Sequence, residues 1–123
     1  MGASLSIISN DKSIQDNVIV QLSNIELFRV GQLLRHPIDF EINGDLPNSY
    51  IKECSIHKSF NKAINIHDSN FISIHSNVVF DIAGSAFVLT DASGNSFKNN
   101  LVISVSATTL GLNNDIITGI IKF

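Results

Sequence analysis

YIKECSIHKSFNKAINIHDSNFISIHSNVVFDIAGSAFVLTDASGNSFKNNLVI, residues Tyr50 to Ile103, decides the fold, because similar residues recur in it every 23 positions. One column of equivalent residues is Ile51, Ile74 and Phe97, and Ile120 continues it. Four further columns follow the same spacing: Cys54, Asn77 and Asn100; Ile56, Val79 and Val102; Ile64, Phe87 and Leu110; and Ile66, Leu89 and Leu112. A repeat of this length is typical of a solenoid, whose units bury their apolar faces by stacking on their neighbours.

The pattern inside each repeat favours strands over helices. Apolar and polar residues alternate from Phe71 to Ile74 and from Ala63 to His67, and no run has the i, i+3, i+4 spacing of an amphipathic helix. We therefore predict an all-β fold, a right-handed parallel β-helix of four to five coils with strands about 4.8 Å apart along the axis. Asn77 above Asn100 predicts an asparagine ladder at a corner.

Composition bounds the organisation of the chain. With 123 residues, 44% of them hydrophobic, residues 1–123 are expected to form a single β-helix domain, with a poorly defined segment over 1–17 and coils over 18–123. The formal charge of −3, the scattered Lys and Arg residues and the absence of Trp argue against nucleic-acid binding. Cys54 is the single cysteine, so no internal disulfide is possible.

The two ends of the sequence carry separate expectations. No apolar run is long enough to cross a membrane, so no membrane insertion of this segment is predicted. The columns stop in the middle of a coil, which would leave open strand edges. We interpret the chain as a piece of a longer solenoid, or as a subunit that associates with itself through those open ends.

The first coil is predicted to be longer than the others. Leu22 and Leu27 match Ile51 and Ile56 at a spacing of 29 rather than 23. Aligning Phe40 with Ile64 places most of the extra length around residues 31–37, in a loop that carries Arg35 and His36. Insertions in solenoids form loops on one face, often the binding face.

The strand after this loop contains the candidate catalytic residues. In Ile38-Asp39-Phe40-Glu41-Ile42-Asn43, alternation turns Asp39, Glu41 and Asn43 outward. The same alignment stacks Asn43 over His67 over Thr90, and Asp39 over Ala63 over Ala86. Carboxylates about 6 to 7 Å apart suit an inverting glycosidase.

Asp39 and Glu41 are thus the candidate catalytic pair, and Arg35, His36, Asn43 and His67 are candidate ligand-binding residues. The alternative is an ordinary solvated strand face, whose negative charge would not hold a uronate.

Metal binding is not predicted. The oxygen donors Asp39, Glu41, Asn43 and Asp45 spread over about 20 Å along an extended strand, too far to share one calcium ion. The histidines His57, His67 and His75 lack a helical pair or a second ligand in register, so they are interpreted as surface or corner residues. No cofactor is expected.

The column assignment also predicts which substitutions disturb packing. Ile66 and Leu89 lie in apolar columns, so an aspartate at either position should unfold the chain. Asn65 points outward, and Asn65→Asp should be nearly silent.

Three stretches also resemble a known family. They are residues 34–45 (LRHPIDFEINGD), 50–67 (YIKECSIHKSFNKAINIH) and 78–91 (VVFDIAGSAFVLTD), and 112–115 (LNND) continues the similarity. Together, over roughly residues 20–118, they resemble the parallel β-helix region of fibrocystin, fibrocystin-like proteins and the cell-migration-inducing hyaluronidases. The resemblance implies a large extracellular or cell-surface protein.

The chain departs from that family at chemically important positions. Asp39 and Glu41 stand where the family has a His-x-His pair, and Leu89-Thr90-Asp91-Ala92 stands where it has Phe-Glu-Asp-Gly. The glycine-rich G8 domain that accompanies the β-helix in the family is not in this sequence.

Two functions follow. We favour a non-catalytic structural or interaction β-solenoid module. The alternative is a carbohydrate-active β-helix that binds or cleaves a glycosaminoglycan such as hyaluronan, as a glycosidase using Asp39 and Glu41.

Overall fold

The computed structural model describes residues 2–9, 18–32, 35–106 and 121–122, and its regular structure there consists of strands. The thirteen strands are β1 (Leu5–Ile8), β2 (Gln21–Ser23), β3 (Glu26–Phe28), β4 (Ile38–Asp45), β5 (Tyr50–Lys52), β6 (Ser55–Ser59), β7 (Ile64–Asn70), β8 (Ser73–His75), β9 (Val78–Ala83), β10 (Phe87–Thr90), β11 (Ser96–Lys98), β12 (Leu101–Ser106) and β13 (Ile121–Lys122).

The strands form three parallel sheets, and the chain visits each sheet once per coil. The sheet orders are β1-β4-β7-β10-β13, β11-β8-β5-β2 and β12-β9-β6-β3. Strands β2–β4, β5–β7 and β8–β10 make three complete coils; β1 precedes them, and β11, β12 and β13 follow. This arrangement confirms the predicted parallel β-solenoid with its 23-residue repeat.

Stacked side chains fill the inside of the solenoid. Ile51 lies opposite Ile74, and Ile74 opposite Phe97, as the repeat predicts. Ile56 and Val79 form the neighbouring column. The central members of these columns are fully buried. Burying an isoleucine side chain stabilises the fold by about 1.5–3 kcal/mol, so the columns supply the main favourable term.

The last coil differs from the prediction. Ile121, 34 residues after Phe87, takes the place beside Phe87 that the repeat assigned to Leu110. Leu110, Leu112 and Ile120 lie outside the described residues. The 23-residue spacing therefore does not hold between β10 and β13.

The long first coil also has a different register from the one predicted. Ile38 pairs with Ile64 and Phe40 with Ile66, so the alignment of Phe40 with Ile64 was wrong by two residues. Alternation has a period of two, so either register keeps the same side chains inside and the sequence pattern cannot separate them. The first coil spans 29 residues where the repeat has 23, so it has six extra residues. Three of them lie between β3 and β4, and three lie between the start of β4 and β5.

Each coil turns at corners built from left-handed residues. Two columns of non-glycine residues have φ between 51° and 58°: Asn24, Glu53, Ser76 and Asn99 in one, and Arg29, Lys58, Asp81 and Ser104 in the other. A non-glycine residue pays roughly 1–2 kcal/mol for this conformation. Because the same positions recur in each coil, the bends superimpose and the sheets stay in register.

An asparagine ladder joins the coils at the first of these corners, as predicted. Asn77 Oδ1 accepts the backbone N–H of Cys54, and Asn100 Oδ1 accepts that of Asn77, both at 3.0 Å. The Asn77 amide donates to the carbonyl of Ile51 at 3.0 Å. Asn77 is fully buried, so these bonds satisfy backbone groups that water does not reach.

In the part of the chain that the structure describes, no helix has the length and apolarity needed to cross a membrane.

Candidate functional site

The predicted catalytic residues lie on the outer face of the sheet formed by β4, β7 and β10. Asp39 pairs with Asn65, and Glu41 pairs with His67, which in turn pairs with Thr90. The predicted stacks of Asn43 over His67 and of Asp39 over Ala63 were therefore wrong, and the two-residue register error explains both.

The two acids have different surroundings. Asp39 is half-buried, and its Oδ1 accepts a hydrogen bond from Asn65 Nδ2 at 2.8 Å. Glu41 is exposed beside His67 on the neighbouring strand. The structure thus gives Asp39 a hydrogen-bonded amide partner on the next coil and places Glu41 in register with His67.

The other predicted ligand-binding residues are dispersed. Arg35 is exposed and closes a small turn, in which its backbone exchanges hydrogen bonds with Gln32 at 2.8 and 3.1 Å. The His36 carbonyl accepts a hydrogen bond from the Ser4 hydroxyl. Asn43 is exposed within the register shift between Glu41 and Gly44. Of the four candidates, only His67 is placed in register with one of the acids.

Grooves formed by described residues lie away from these acids. One, of about 390 Å³, follows the first left-handed corner and is lined by residues that include Glu26, Glu53 and Cys54. A second, of about 360 Å³, follows the other left-handed corner. It is lined by Arg29, Lys58, Ser59, Phe60, Asp81, Ala83 and Ser106.

An aromatic stack on the outer face of β3, β6 and β9 was missed by the sequence reasoning. The His57 ring lies 4.5 Å from that of Phe80 with an interplanar angle of 8°, and 5.1 Å from that of Phe28. Its Nε2 contacts Glu26 Oε1 at 2.8 Å. The repeat contained the signal, because Phe28, His57 and Phe80 are equivalent positions of successive coils.

Two aspartates beside His67 were also missed. Ligand atoms of His67, Asp68 and Asp91 all lie within 4.8 Å of one another. His67 Nδ1 is 3.2 Å from Asp68 Oδ2. Asp68 and Asp91 are separated by one 23-residue repeat, and this spacing was the available signal.

The fold and its ladders define a parallel β-solenoid of the β-helix class. The chain belongs to the CEMIP beta-helix family, whose model matches residues 4–120. This confirms the family resemblance noted in the sequence.

Relatives of known name are far longer than this chain. It is 38% identical to fibrocystin-L of Mus musculus over 107 residues, which are 82% of the chain and 2% of the relative. The chain is 35% identical to human fibrocystin-L over 102 residues, which are 78% of the chain and again 2% of the relative. A G8 domain-containing protein of Dictyostelium discoideum is 38% identical over 84 residues, 66% of the chain and 6% of that protein. No solved structure matches the chain.

Proposed function

We propose that this chain is a non-catalytic structural or interaction module, a rigid β-solenoid segment of an extracellular or cell-surface protein. The observation that carries the proposal is the use of polar side chains to join coils. Asn77, Asn100 and Asn65 all bond to the neighbouring coil. Similarity to fibrocystin-L and to G8 domain-containing proteins supports the same assignment.

The surroundings of Asp39 and Glu41 argue against glycoside hydrolysis. An inverting glycosidase needs a protonated acid and an ionised base on opposite sides of a bound sugar. Burial in apolar surroundings raises the pKa of such an acid and keeps it protonated. Here the side-chain amide of Asn65 donates a hydrogen bond to the half-buried Asp39, and Glu41 is exposed to solvent. Neither carboxyl group has the apolar enclosure that a general acid requires.

Polysaccharide binding is the second candidate, and one groove favours it. Arg29 and Lys58 line the 360 Å³ groove together with the half-exposed ring of Phe60. A cationic pair beside an aromatic ring suits an anionic sugar such as the uronate of hyaluronan better than the acidic face of β4. Asp81, which also lines the groove, limits the net positive charge.

Association through strand edges is the remaining partner proposal. Within the described ranges, β2 and β11 end one sheet order, and β3 and β12 end another. Edge strands of this kind pair with further coils of a parent protein or with a second copy.

Incubation with hyaluronan separates these functions. Polymer size by gel filtration should be unchanged by the wild-type chain. Cleavage that is lost in both Asp39→Asn and Glu41→Gln would overturn the non-catalytic assignment in favour of a glycosidase. Retention on a hyaluronan column that is weakened by Arg29→Gln with Lys58→Gln, and is unaffected by the matched pair Lys52→Gln with Lys98→Gln, would establish binding without catalysis.

A further inference from the structure

We propose that His67, Asp68 and Asp91 form a binding site for a first-row divalent transition-metal ion, with zinc as the representative ion. This goes beyond a structural module, because it assigns a ligand to one corner of the solenoid. It also gives His67 a role that sequence spacing did not suggest.

Strand geometry brings the three side chains together. His67 and Asp68 are consecutive in β7, and Asp91 directly follows β10, the strand paired with β7. Asp68 and Asp91 share a left-handed backbone, with φ of 50° and 49°, so equivalent corners of two coils present the same side chain. The ligand atoms all lie within 4.8 Å of one another. Zinc–nitrogen and zinc–oxygen bonds are about 2.0–2.2 Å long, so small side-chain rotations suffice for three bonds to one ion.

The electrostatics of the corner favour a bound cation. Two stacked carboxylates repel each other, and among the described residues the only ion pair made by either is the His67 contact with Asp68. Neighbouring aspartates avoid this repulsion because the residue beside each of them on the next coil is an asparagine rather than a second carboxylate. Asn70 donates to Asp45 at 3.0 Å, and Asn65 donates to Asp39 at 2.8 Å. Asp68 and Asp91 are both acceptors when ionised, so they cannot hydrogen-bond to each other in that way.

The donor set selects the metal class. One imidazole nitrogen with two carboxylates suits zinc and its first-row neighbours, whereas calcium takes six to eight oxygen ligands. Three protein ligands leave at least one coordination position for water or for a group on a partner. Both coils contribute ligands, so the ion would also link β7 to the end of β10.

Isothermal titration of the intact chain with zinc chloride tests the proposal. We expect one zinc ion per chain, with affinity weakened at least about ten-fold by His67→Ala and by Asp91→Asn. His75→Ala is the matched control, since His75 is a partly exposed histidine on another sheet and lies outside the cluster. It should bind zinc as the wild type does.

Cobalt provides a spectroscopic readout that is independent of the calorimetric titration. A d–d absorption band on adding Co²⁺ that is lost in His67→Ala would support ligation by the imidazole. Circular dichroism shows whether each variant keeps its strands. Absence of zinc binding by the folded wild type, equal affinity in His67→Ala, or binding of calcium in preference to zinc would each overturn the proposal.

Discussion

Asn100 Oδ1 lies 3.0 Å from both the backbone nitrogen and the side-chain Nδ2 of Asn77, one coil earlier in the chain. One oxygen thus accepts two hydrogen bonds, and Asn77 repeats the backbone contact toward Cys54. Identical side chains satisfy each other here because each amide carries both donor and acceptor groups.

The first prediction concerns this ladder. Asn77→Ala removes the acceptor for the Cys54 N–H and the donor to the Ile51 carbonyl, both in the buried corner. Each orphaned group costs about 1–3 kcal/mol. We expect urea denaturation to show a loss of about 2–4 kcal/mol in the free energy of unfolding. Asn43→Ala, at an exposed position, is the control and should change stability little. Equal losses in the two variants would contradict a structural role for the ladder.

The second prediction separates the inner and outer faces. Ile66 is fully buried, so Ile66→Asp should lower stability by about 4 kcal/mol or more and abolish cooperative unfolding. The same substitution at Leu89, which is 6% exposed, should act similarly. Far-ultraviolet circular dichroism through a thermal scan measures both effects.

The third prediction corrects the expectation for Asn65. We expect Asn65→Asp not to be silent, because it would place a second carboxylate against Asp39 in place of the donor that now bonds to it at 2.8 Å. We expect a loss of about 0.5–1 kcal/mol at neutral pH and low salt. The exchanged double variant, Asp39→Asn with Asn65→Asp, should recover most of it. A double variant as unstable as the single one would mean that the contact does not form.

The fourth prediction uses the left-handed corner. Glu53 has φ of 54°, so Glu53→Gly should leave stability unchanged or raise it by up to about 1 kcal/mol. Ser55→Gly, two residues later inside β6, should lower it by roughly 0.5–1 kcal/mol, because glycine weakens a strand. Chemical denaturation of both variants decides the matter, and the opposite order would refute the corner assignment.

The fifth prediction tests the aromatic stack by a double-mutant cycle. His57→Leu and Phe80→Leu should show a coupling of about 0.5–1.5 kcal/mol, since their rings stack at 4.5 Å. Glu26→Gln combined with Phe80→Leu should be additive within about 0.5 kcal/mol. Coupling of equal size in both cycles would point to a general change in the sheet rather than to ring stacking.

The fold was predictable because residues that stack in successive coils recur at a constant spacing in the sequence. Ile51, Ile74 and Phe97 occupy the same place in successive coils, so a constant spacing in the sequence is a contact in space. The Asn77 ladder followed for the same reason. The repeat failed where coils change length, as at Ile121 in place of Leu110.

The candidate site was less predictable. The neighbours of a side chain on adjacent strands depend on the register of those strands as well as on whether the side chain points inward or outward. Alternation correctly turned Asp39 and Glu41 outward, but a two-residue shift exchanged their partners for Asn65 and His67. The cluster of His67 with Asp68 and Asp91 depends instead on the pairing of β7 with β10, which keeps the 23-residue spacing, and on the left-handed corners at Asp68 and Asp91. The corner conformation is not encoded in the alternation of polar and apolar residues.

The 23-residue coil has a consequence for reach. Each full circuit of the chain advances the axis by about 4.8 Å, whereas the same number of residues in an α-helix would extend roughly 35 Å. A β-solenoid therefore spans much less length per residue than an α-helix. Its equivalent side chains instead repeat at one short, constant spacing, which a regular polymer or a second solenoid can match.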